Sequence, residues 1–402
     1  WWPSDFTKNV MWNNHFFGQS ASAANPDSYF NAVKTNYGVS PGIETFCEKA
    51  QYLNLELGKA IYEAWNDHLW NDATGIILWM SNPAYPSFVW QTYDYYYDAT
   101  GVYWGAKKAC EPLHIQWNCA TNSVKVINTT LQNYTGLKAK ATVYNLDGSI
   151  YEPLSMEKTV NVSSKNLQEC FTLVEESGRS QALSDLNFIR LELRDSNNQL
   201  LSGNFYWRNV KNADNYTALN SLPEADLTTS ALPRRENGQY IIDYTVTNQS
   251  ATVAFGIRLR VVNARNGQRI LPVFMPENYF TLMPGETKQI PVTFDESLIG
   301  NDEAAVLLKQ YGFAEEENPG ETAVSQIKSQ SKWHFYPNPA TETVYLDAGK
   351  ESFALRIFDL NGKTVYKGQN EPDIHIGHLS KGFYLLQITA GNEIMTTKLI
   401  KQ

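Results

Sequence analysis

The residues able to do acid–base or nucleophilic chemistry in the first 116 positions are carboxylates. They are Asp5, Asp27, Glu44, Glu48, Glu56, Glu63, Asp67, Asp72, Asp94, Asp98 and Glu111. Two such groups held a few ångströms apart serve as an acid/base and a nucleophile. Their surroundings argue for plainer roles. Glu44, Glu48 and Glu63 fall on the polar side of a helical pattern, which a solvated face explains. Asp67 and Asp72 precede an apolar run, and Glu111 precedes Pro112, where a structural ion pair is expected. Metal chemistry has no support, because Cys47, Cys110, Cys119 and Cys170 fit no zinc or redox spacing. A Cys110–Cys119 bridge would close a short loop in an oxidising compartment, with isolated buried thiols as the alternative. No catalytic residue, metal or cofactor is assigned from these patterns.

The elements that must position any site follow from periodicity. Between Gly42 and Trp70, Ile43, Phe46, Cys47, Ala50, Leu53, Leu57, Ala60, Ile61 and Ala64 fall on one helical face. Glu44, Glu48, Gln51, Lys59 and Glu63 fall on the other. Ile76 to Met80, bounded by Gly75, reads as a fully buried parallel strand. Tyr103 to Cys110 reads as a short helix opened by Gly101 and stopped by Pro112. One such αβ unit cannot stand as a domain, because it has no sheet neighbours to bury against.

From about 117 the pattern changes to short strands: Ser123–Ile127, Lys138–Tyr144, Phe171–Val174, Phe188–Leu193 and Asn204–Trp207, with Asp147-Gly148 as a turn signal. A second set comprises Tyr240–Thr247, Ala254–Val262, Leu271–Met275, Tyr279–Leu282, Lys288–Phe294 and Ala304–Lys309. Each set suggests an immunoglobulin-like sandwich. Residues 315–332 are polar and without period, a solvated linker. Residues 333–402 form a last compact β unit. The whole chain of 402 residues carries a net charge of −9 at a pI near 5.3, which argues against nucleic acid or anionic membrane partners. No run of 18 apolar residues exists, so no transmembrane segment is expected. Trp1 is an implausible start, and the chain reads as the carboxyl-terminal part of something longer.

The stretch Gly75 to Asn118 carries a specific resemblance. Trp79-Met80-x-Asn82, Trp90-Gln91-x-Tyr93-Asp94-Tyr95 and Gly105-Ala106-Lys107-Lys108-Ala109-x-Glu111-Pro112-x-His114-Ile115 resemble the last barrel strand and following helix of glycoside hydrolase family 2, in its exo-β-D-glucosaminidase and mannosidase branch. Asn204-Phe205-Tyr206-Trp207 and Tyr216 to Pro223 resemble the immunoglobulin-like domains that follow that barrel. Tyr336-Pro337-Asn338-Pro339, Phe358 to Lys363, Leu379 to Tyr384 and Lys398-Leu399-Ile400-Lys401 resemble the sorting domain of type IX secretion cargo.

The resemblance implies a multidomain fold: the carboxyl-terminal remnant of a (β/α)8 TIM barrel (1–116), two immunoglobulin-like β-sandwiches (117–213 and 214–314), the linker (315–332) and a small all-β sorting domain (333–402). It implies a secreted or surface-held retaining exo-β-glycosidase of a Gram-negative bacterium, removing terminal β-linked glucosamine or mannose by double displacement between two carboxylates. The carbohydrate partner would be a chitosan-type or mannose-containing oligosaccharide, and residues 333–402 would meet the type IX secretion machinery. Trp2-Pro3 and Trp12-x-x-His15 resemble the segment downstream of the nucleophile, so both catalytic glutamates are expected before Trp1. What remains here would be one wall of the substrate site. Trp79 is the expected sugar-stacking platform, against a buried barrel tryptophan. Asn82 is expected to bond a sugar hydroxyl or to cap the Pro83 turn, and His15 to line the rim or to pack. Trp90, Tyr93, Asp94 and Tyr95 are expected to pack against the first sandwich. The competing function is a secreted β-sandwich carbohydrate-binding or adhesion protein without catalysis.

Overall fold

The computed structural model describes residues 15, 26–87, 91–174, 183–315, 334–347, 352–359, 363–390 and 393–402. The chain forms two compact units, Trp1–Val262 with Arg269–Glu316 and Asn263–Gln268 with Glu317–Gln402. The fold is mostly β-sheet, with few helices.

The first unit opens with helices α1 (Pro26–Tyr37), α2 (Ile43–Asn66) and α3 (Gly101–Ala109). Helices α2 and α3 touch backbone to backbone, and glycines make that possible. A Cβ on Gly105 would lie 2.2 Å from the Leu55 carbonyl oxygen, and one on Gly101 would lie 2.0 Å from that of Gln51. The α3 N-terminus is also held from outside, since Gly101 N–H donates to Gln51 Oε1 at 2.7 Å.

The first sandwich pairs a sheet of order β1-β2-β5 with one of order β4-β3-β6-β7. These strands are β1 (Leu113–Asn118), β2 (Ser123–Asn128), β3 (Tyr134–Asn145), β4 (Met156–Val162), β5 (Asn166–Thr172), β6 (Leu186–Arg194) and β7 (Leu200–Asn209). Alternate residues face inward, as a half-buried sheet requires. Ile115, Val124, Val126, Ala139, Ala141, Ile189 and Leu191 fill the space between the sheets. The sheet begins at Leu113, so the boundary expected at 116/117 falls inside β1.

The second sandwich pairs the order β12-β9-β8 with β11-β10-β13. Its strands are β8 (Leu227–Glu236), β9 (Gln239–Asn248), β10 (Ala254–Asn263), β11 (Phe280–Leu282), β12 (Thr287–Asp295) and β13 (Ala304–Gln310). Tyr240, Ile242, Tyr244 and Val246 of β9 pack on Phe255, Ile257 and Leu259 of β10 in one cluster with Phe46, Ala50, Tyr52 and Leu53 of α2. Helix α2 therefore shares the core of the second sandwich. Tyr52 is the knob: its hydroxyl donates to Gly256 O at 2.5 Å. Gly256 adopts φ +62°, and a Cβ there would meet the Tyr52 ring at 2.6–2.8 Å.

In the second unit β14 (His334–Tyr336), β15 (Thr343–Asp347) and β18 (Asp373–His375) form one sheet. The other runs β17 (Thr364–Gln369), β16 (Ala354–Phe358), β19 (Gly382–Ala390) and β20 (Glu393–Lys401) in that order. Val344, Leu355, Ile357, Ile374, Leu386 and Ile388 fill the core between them. The Tyr-Pro-Asn-Pro opening is tied to the last strand. Ile400 N–H donates to Asn338 Oδ1 at 2.9 Å, and Ala340 N–H donates to Ile400 O at 2.9 Å.

Four sequence expectations need correction. Residues 76–80 form no strand and pair with none among the described residues, and Ile77 is 96% exposed. A parallel strand takes its hydrogen bonds and its burial from neighbours on both sides, and none stands beside this segment. In the second half of α2 the expected faces are exchanged: Lys59 and Glu63 are buried, whereas Leu57 and Ile61 are exposed, while Phe46, Ala50 and Leu53 in the first half are buried as expected. Leu271–Met275 is not a strand, and only Phe274 makes an isolated bridge, to Thr293. Neither reading of Cys110 and Cys119 holds as stated, since both are free thiols, which excludes the bridge, and both are exposed rather than buried. In the expected linker, Glu315 is held by Arg260 of β10, and residues 316–333 lie outside the described residues.

Gly105→Ala is expected to destabilise the first unit by about 2–3 kcal/mol, the cost of forcing a methyl into a filled contact. Gly75→Ala, where the methyl meets nothing within 4 Å, should leave the urea midpoint unchanged.

Candidate functional site

The residues expected to form a substrate wall lie on the segment between α2 and α3. Trp79 is 77% exposed, with its indole in the open rather than packed in a core. Asn82 is exposed, and its Oδ1 accepts from Ser81 Oγ at 3.1 Å. The Nδ1–H of His15 donates to Pro86 O at 2.6 Å, which ties His15 to the turn that follows Asn82. His15 and Asn82 are thus placed near one stretch of backbone.

A second loop holds that stretch. The Ser81 carbonyl accepts from Thr92 N at 3.0 Å and Tyr93 N at 3.2 Å, and from Thr92 Oγ1 at 2.9 Å. The loop is closed internally by Asp94, whose Oδ1 accepts from the backbone of Tyr96 at 2.8 Å and of Asp98 at 2.9 Å. Such carboxylate-to-backbone closure makes a tight turn without regular structure. Tyr95, Tyr96 and Tyr97 are left exposed. Tyr93 and Tyr97 stack at 6.2 Å and Tyr95 and Tyr96 meet edge-on at 5.2 Å. Asp98 of this loop meets Arg258 of β10 at 3.1 Å and Arg269 at 2.9 Å, both in the second sandwich. Trp90 lies outside the described residues.

The carboxylates are engaged elsewhere. Glu48 pairs with Lys309 at 3.1 Å, and Asp67 with Lys125 at 2.8 Å. Asp72 meets the His68 ring at 2.9 Å. Glu44 is exposed on α2, and Asp5 lies outside the described residues. The Tyr37 hydroxyl meets Glu56 Oε2, and burial, offset in part by that contact and by Lys59, pushes the Glu56 carboxyl up to about 8.

Glu63 is the centre of a buried polar cluster. Its Oε1 accepts from Asn204 Nδ2 at 2.7 Å and from Tyr206 at 2.9 Å, and meets His114 Nε2 at 3.0 Å. The other ring nitrogen of His114 meets Glu111 Oε2 at 3.2 Å. Two carboxylates, one at each ring nitrogen, favour an imidazole that donates from both. Its pKa is accordingly raised, since the contacts to Glu111 and Glu63 outweigh burial. Against the burial that would raise it, hydrogen bonding to His114 and the charge of Lys108 hold the Glu111 carboxyl down at about 2. Lys59 donates to Asn204 Oδ1 at 3.2 Å and to Phe205 O at 2.6 Å, and burial brings its ammonium down to about 8. Sequence reading missed this cluster. The available signal was the alternation His114, Gln116, Asn118 in β1 and Ser202, Asn204, Tyr206 in β7: polar groups on one face of strands whose other face is apolar.

Among the described residues no group of three or more His, Cys, Asp or Glu could hold a metal ion. None of the described helices is long and apolar enough to cross a membrane.

Comparison with known proteins gives the class. Residues 204–311 match the exo-beta-D-glucosaminidase Ig-fold domain, and residues 334–402 match the secretion system C-terminal sorting domain. The latter marks the chain for type IX secretion, to the cell surface or beyond. The exo-beta-D-glucosaminidase of Amycolatopsis orientalis is 30% identical over 97% of this chain and 37% of its own length. The mannosylglycoprotein endo-beta-mannosidase of Lilium longiflorum is 27% identical over 71% of this chain and 36% of its own. The crystal structure of Amycolatopsis orientalis exo-chitosanase CsxA superposes with a TM-score of 0.68 at 28% identity, over 76% of this chain and 39% of that one. The β-D-mannosidase of Dictyoglomus thermophilum, at 15% identity and TM-score 0.52, shares the fold. The chain is a homologue of the exo-β-D-glucosaminidases and β-mannosidases of glycoside hydrolase family 2, joined to a sorting domain. It spans just over a third of the length of the curated relatives it matches.

Glu63→Ala is expected to cost about 3 kcal/mol, because it leaves the buried His114 with Glu111 as its one carboxylate partner and removes the acceptor of Asn204 and Tyr206. Chemical unfolding at neutral pH reads this directly. Glu56 generates a pH dependence. In the folded chain it keeps its proton to about pH 8, against an ordinary value of 4.5. Between those values the folded state binds more protons, so stability falls as pH rises. Glu56→Gln should flatten the stability profile from pH 5 to 8 by about 1 kcal/mol per unit, measured by urea unfolding across that range.

Proposed function

We propose that this chain is the carboxyl-terminal part of a secreted retaining exo-β-glycosidase that hydrolyses terminal β-linked glucosamine or mannose. The observation that carries this reading is the bare apolar side of the helical segment. Leu57, Ile61, Trp65, Ile77, Leu78 and Trp79 are exposed, while Lys59 and Glu63 of the same helix are buried against the sandwiches. A helix followed by an apolar segment, uncovered on the side opposite its sandwich contacts, fits the end of an α/β barrel whose remaining strands would cover it. Residues 1–116 are assigned to that barrel, 117–213 and 214–314 to the two sandwiches, 315–332 to a linker and 333–402 to the sorting domain.

In this reading the carboxyl end of the segment 76–80 forms one wall of the sugar site. Trp79 offers a flat apolar face to a pyranose ring, Asn82 offers an amide to a hydroxyl, and His15 lines the rim. The two glutamates of the double displacement belong to the part of the relatives' length that this chain does not span. The carboxylates described here support that division, since Glu48, Glu56, Glu63, Asp67, Asp72, Asp98 and Glu111 all have structural partners. Two carboxylates suffice for the reaction, so no cofactor is invoked. The substrate would be a chitosan-type or mannose-containing oligosaccharide.

The test is hydrolysis of chromogenic β-D-glucosaminide and β-D-mannoside by this chain and by the protein extended to its relatives' length. Activity is expected only in the extended protein, with Trp79→Ala lowering kcat/KM by about tenfold or more, the scale of 1.4 kcal/mol of lost stacking. Turnover by this chain alone would overturn the assignment of the glutamates. No turnover by either would favour a carbohydrate-binding or adhesion role.

A further inference from the structure

We propose that Asp98, with Arg258 and Arg269, is a positioning element through which the second sandwich sets the place of the segment carrying Trp79 and Asn82. The proposal rests on the reading of those residues as a sugar-binding wall, and extends it to residues outside the barrel segment.

The connection is continuous in hydrogen bonds. Arg258 and Arg269 both donate an Nη2 to Asp98 Oδ2, at 3.1 and 2.9 Å. The Asp98 carbonyl accepts from Asp94 N at 2.9 Å, and Asp94 Oδ1 accepts from Asp98 N at 2.9 Å. That closed turn presents Thr92 and Tyr93, whose amides hold the Ser81 carbonyl. Ser81 lies between the two candidate contacts, two residues after Trp79 and one before Asn82. Six hydrogen bonds thus run from the second sandwich to the proposed wall, and none uses a flexible side chain longer than the arginines at its root.

Three features show that the root carries a constraint. One carboxylate oxygen takes both guanidinium groups, so loss of Asp98 would leave two cations facing each other. Arg269 is committed to this contact: its Nε is buried and has no partner among the described residues. Tyr97 holds a left-handed backbone, φ +69°, that a tyrosine adopts only where its surroundings impose it. The other charged and titratable groups near this root are Tyr279, beneath Arg258 at 5.8 Å, Tyr52, Glu48 and Cys47 on the α2 side of Arg258, and Arg260 with its partner Glu315. The end of the loop next to α3 is fixed separately, since Thr100 Oγ1 donates to Gln91 O at 2.8 Å and Thr92 O at 2.9 Å. Asp98 is therefore the charged contact of this closed loop with the second sandwich, next to Ala99, which packs against the cluster that α2 shares with that sandwich. A barrel enzyme commonly gathers its binding residues on loops at one rim. Here a rim loop would be located from outside the barrel, by a domain that does not touch the sugar.

The test uses Asp98→Asn and Asp98→Glu. In the 402-residue chain, hydrogen exchange at the Thr92 and Tyr93 amides is expected to accelerate at least tenfold in Asp98→Asn. Amides of β9 and β10 should stay unchanged, and Asp98→Glu should recover most of the protection. Unchanged exchange at Thr92 and Tyr93 would overturn the proposal, as would equal acceleration throughout the second sandwich, which would mean a general stabilising pair. In the extended protein, Asp98→Asn should raise KM for the chromogenic glycoside at least fivefold with a smaller change in kcat, again recovered by Asp98→Glu. Lost protection with unaltered kinetics would overturn the link to binding. If the parent protein hydrolyses no glycoside, the glycosidase reading fails, and the exchange experiment still decides whether Asp98 positions the segment.

Discussion

The polar contact between helix α2 and the first sandwich is the constraint on which the rest of the first unit depends. Glu63, Lys59 and Asp67 project from one arc of the helix, and His114, Gln116 and Asn118 project from alternate positions of β1. Gln116 donates to the Glu63 carbonyl at 2.8 Å, and Asn118 donates to Asp67 at 2.7 Å. Buried charge is costly unless each member is paired and hydrogen-bonded. That cost makes the contact selective: a small rotation or slip of the helix would strand charges rather than rearrange apolar surface. Once α2 is fixed, its other contacts follow. Tyr52 is seated on Gly256 of the second sandwich, α3 is pressed on α2 through Gly101 and Gly105, and the loop between α3 and Ser81 has a fixed origin.

This arrangement explains why the helix was misread from sequence. Amphipathic patterning identifies two faces, and the usual inference buries the apolar one. For Phe46, Ala50 and Leu53 that inference holds, because the second sandwich and α1 cover them. For Leu57 and Ile61 it fails, because the sandwiches bind the charged arc. A charged residue at helical spacing carries no mark of whether a partner carboxylate or imidazole awaits it across a long sequence gap. Glu63 and His114 are separated by 51 positions, beyond any local pattern. The segment 76–80 is the related case. Its composition is that of a buried strand, and its isolation here is a property of its neighbours, not of its residues.

The sheets were far more legible. Alternation in β9 and β10 defines the second sandwich locally, and the same logic defines β3, β6 and β7. β8 escaped notice because it is exposed along nearly its whole length, which leaves no inward-facing apolar series to find. The candidate site divides similarly. Trp79 and Asn82 stood out by type and context. Asp98 did not, since its partners Arg258 and Arg269 lie in another domain. The sorting unit is the opposite extreme: its motifs coincide with local contacts, as where Asp359 Oδ1 accepts from Lys363 N at 2.9 Å.

The central claim is a division of labour: this chain supplies structural charge networks and one wall of a sugar site, while the nucleophile lies in sequence beyond it. The most direct measurement is covalent trapping of the extended protein with a mechanism-based fluorinated glycosyl fluoride, followed by peptide mapping of the labelled residue. The account requires the label on a glutamate outside these 402 residues. A label on Glu44, Glu48, Glu56, Glu63 or Glu111 would contradict it.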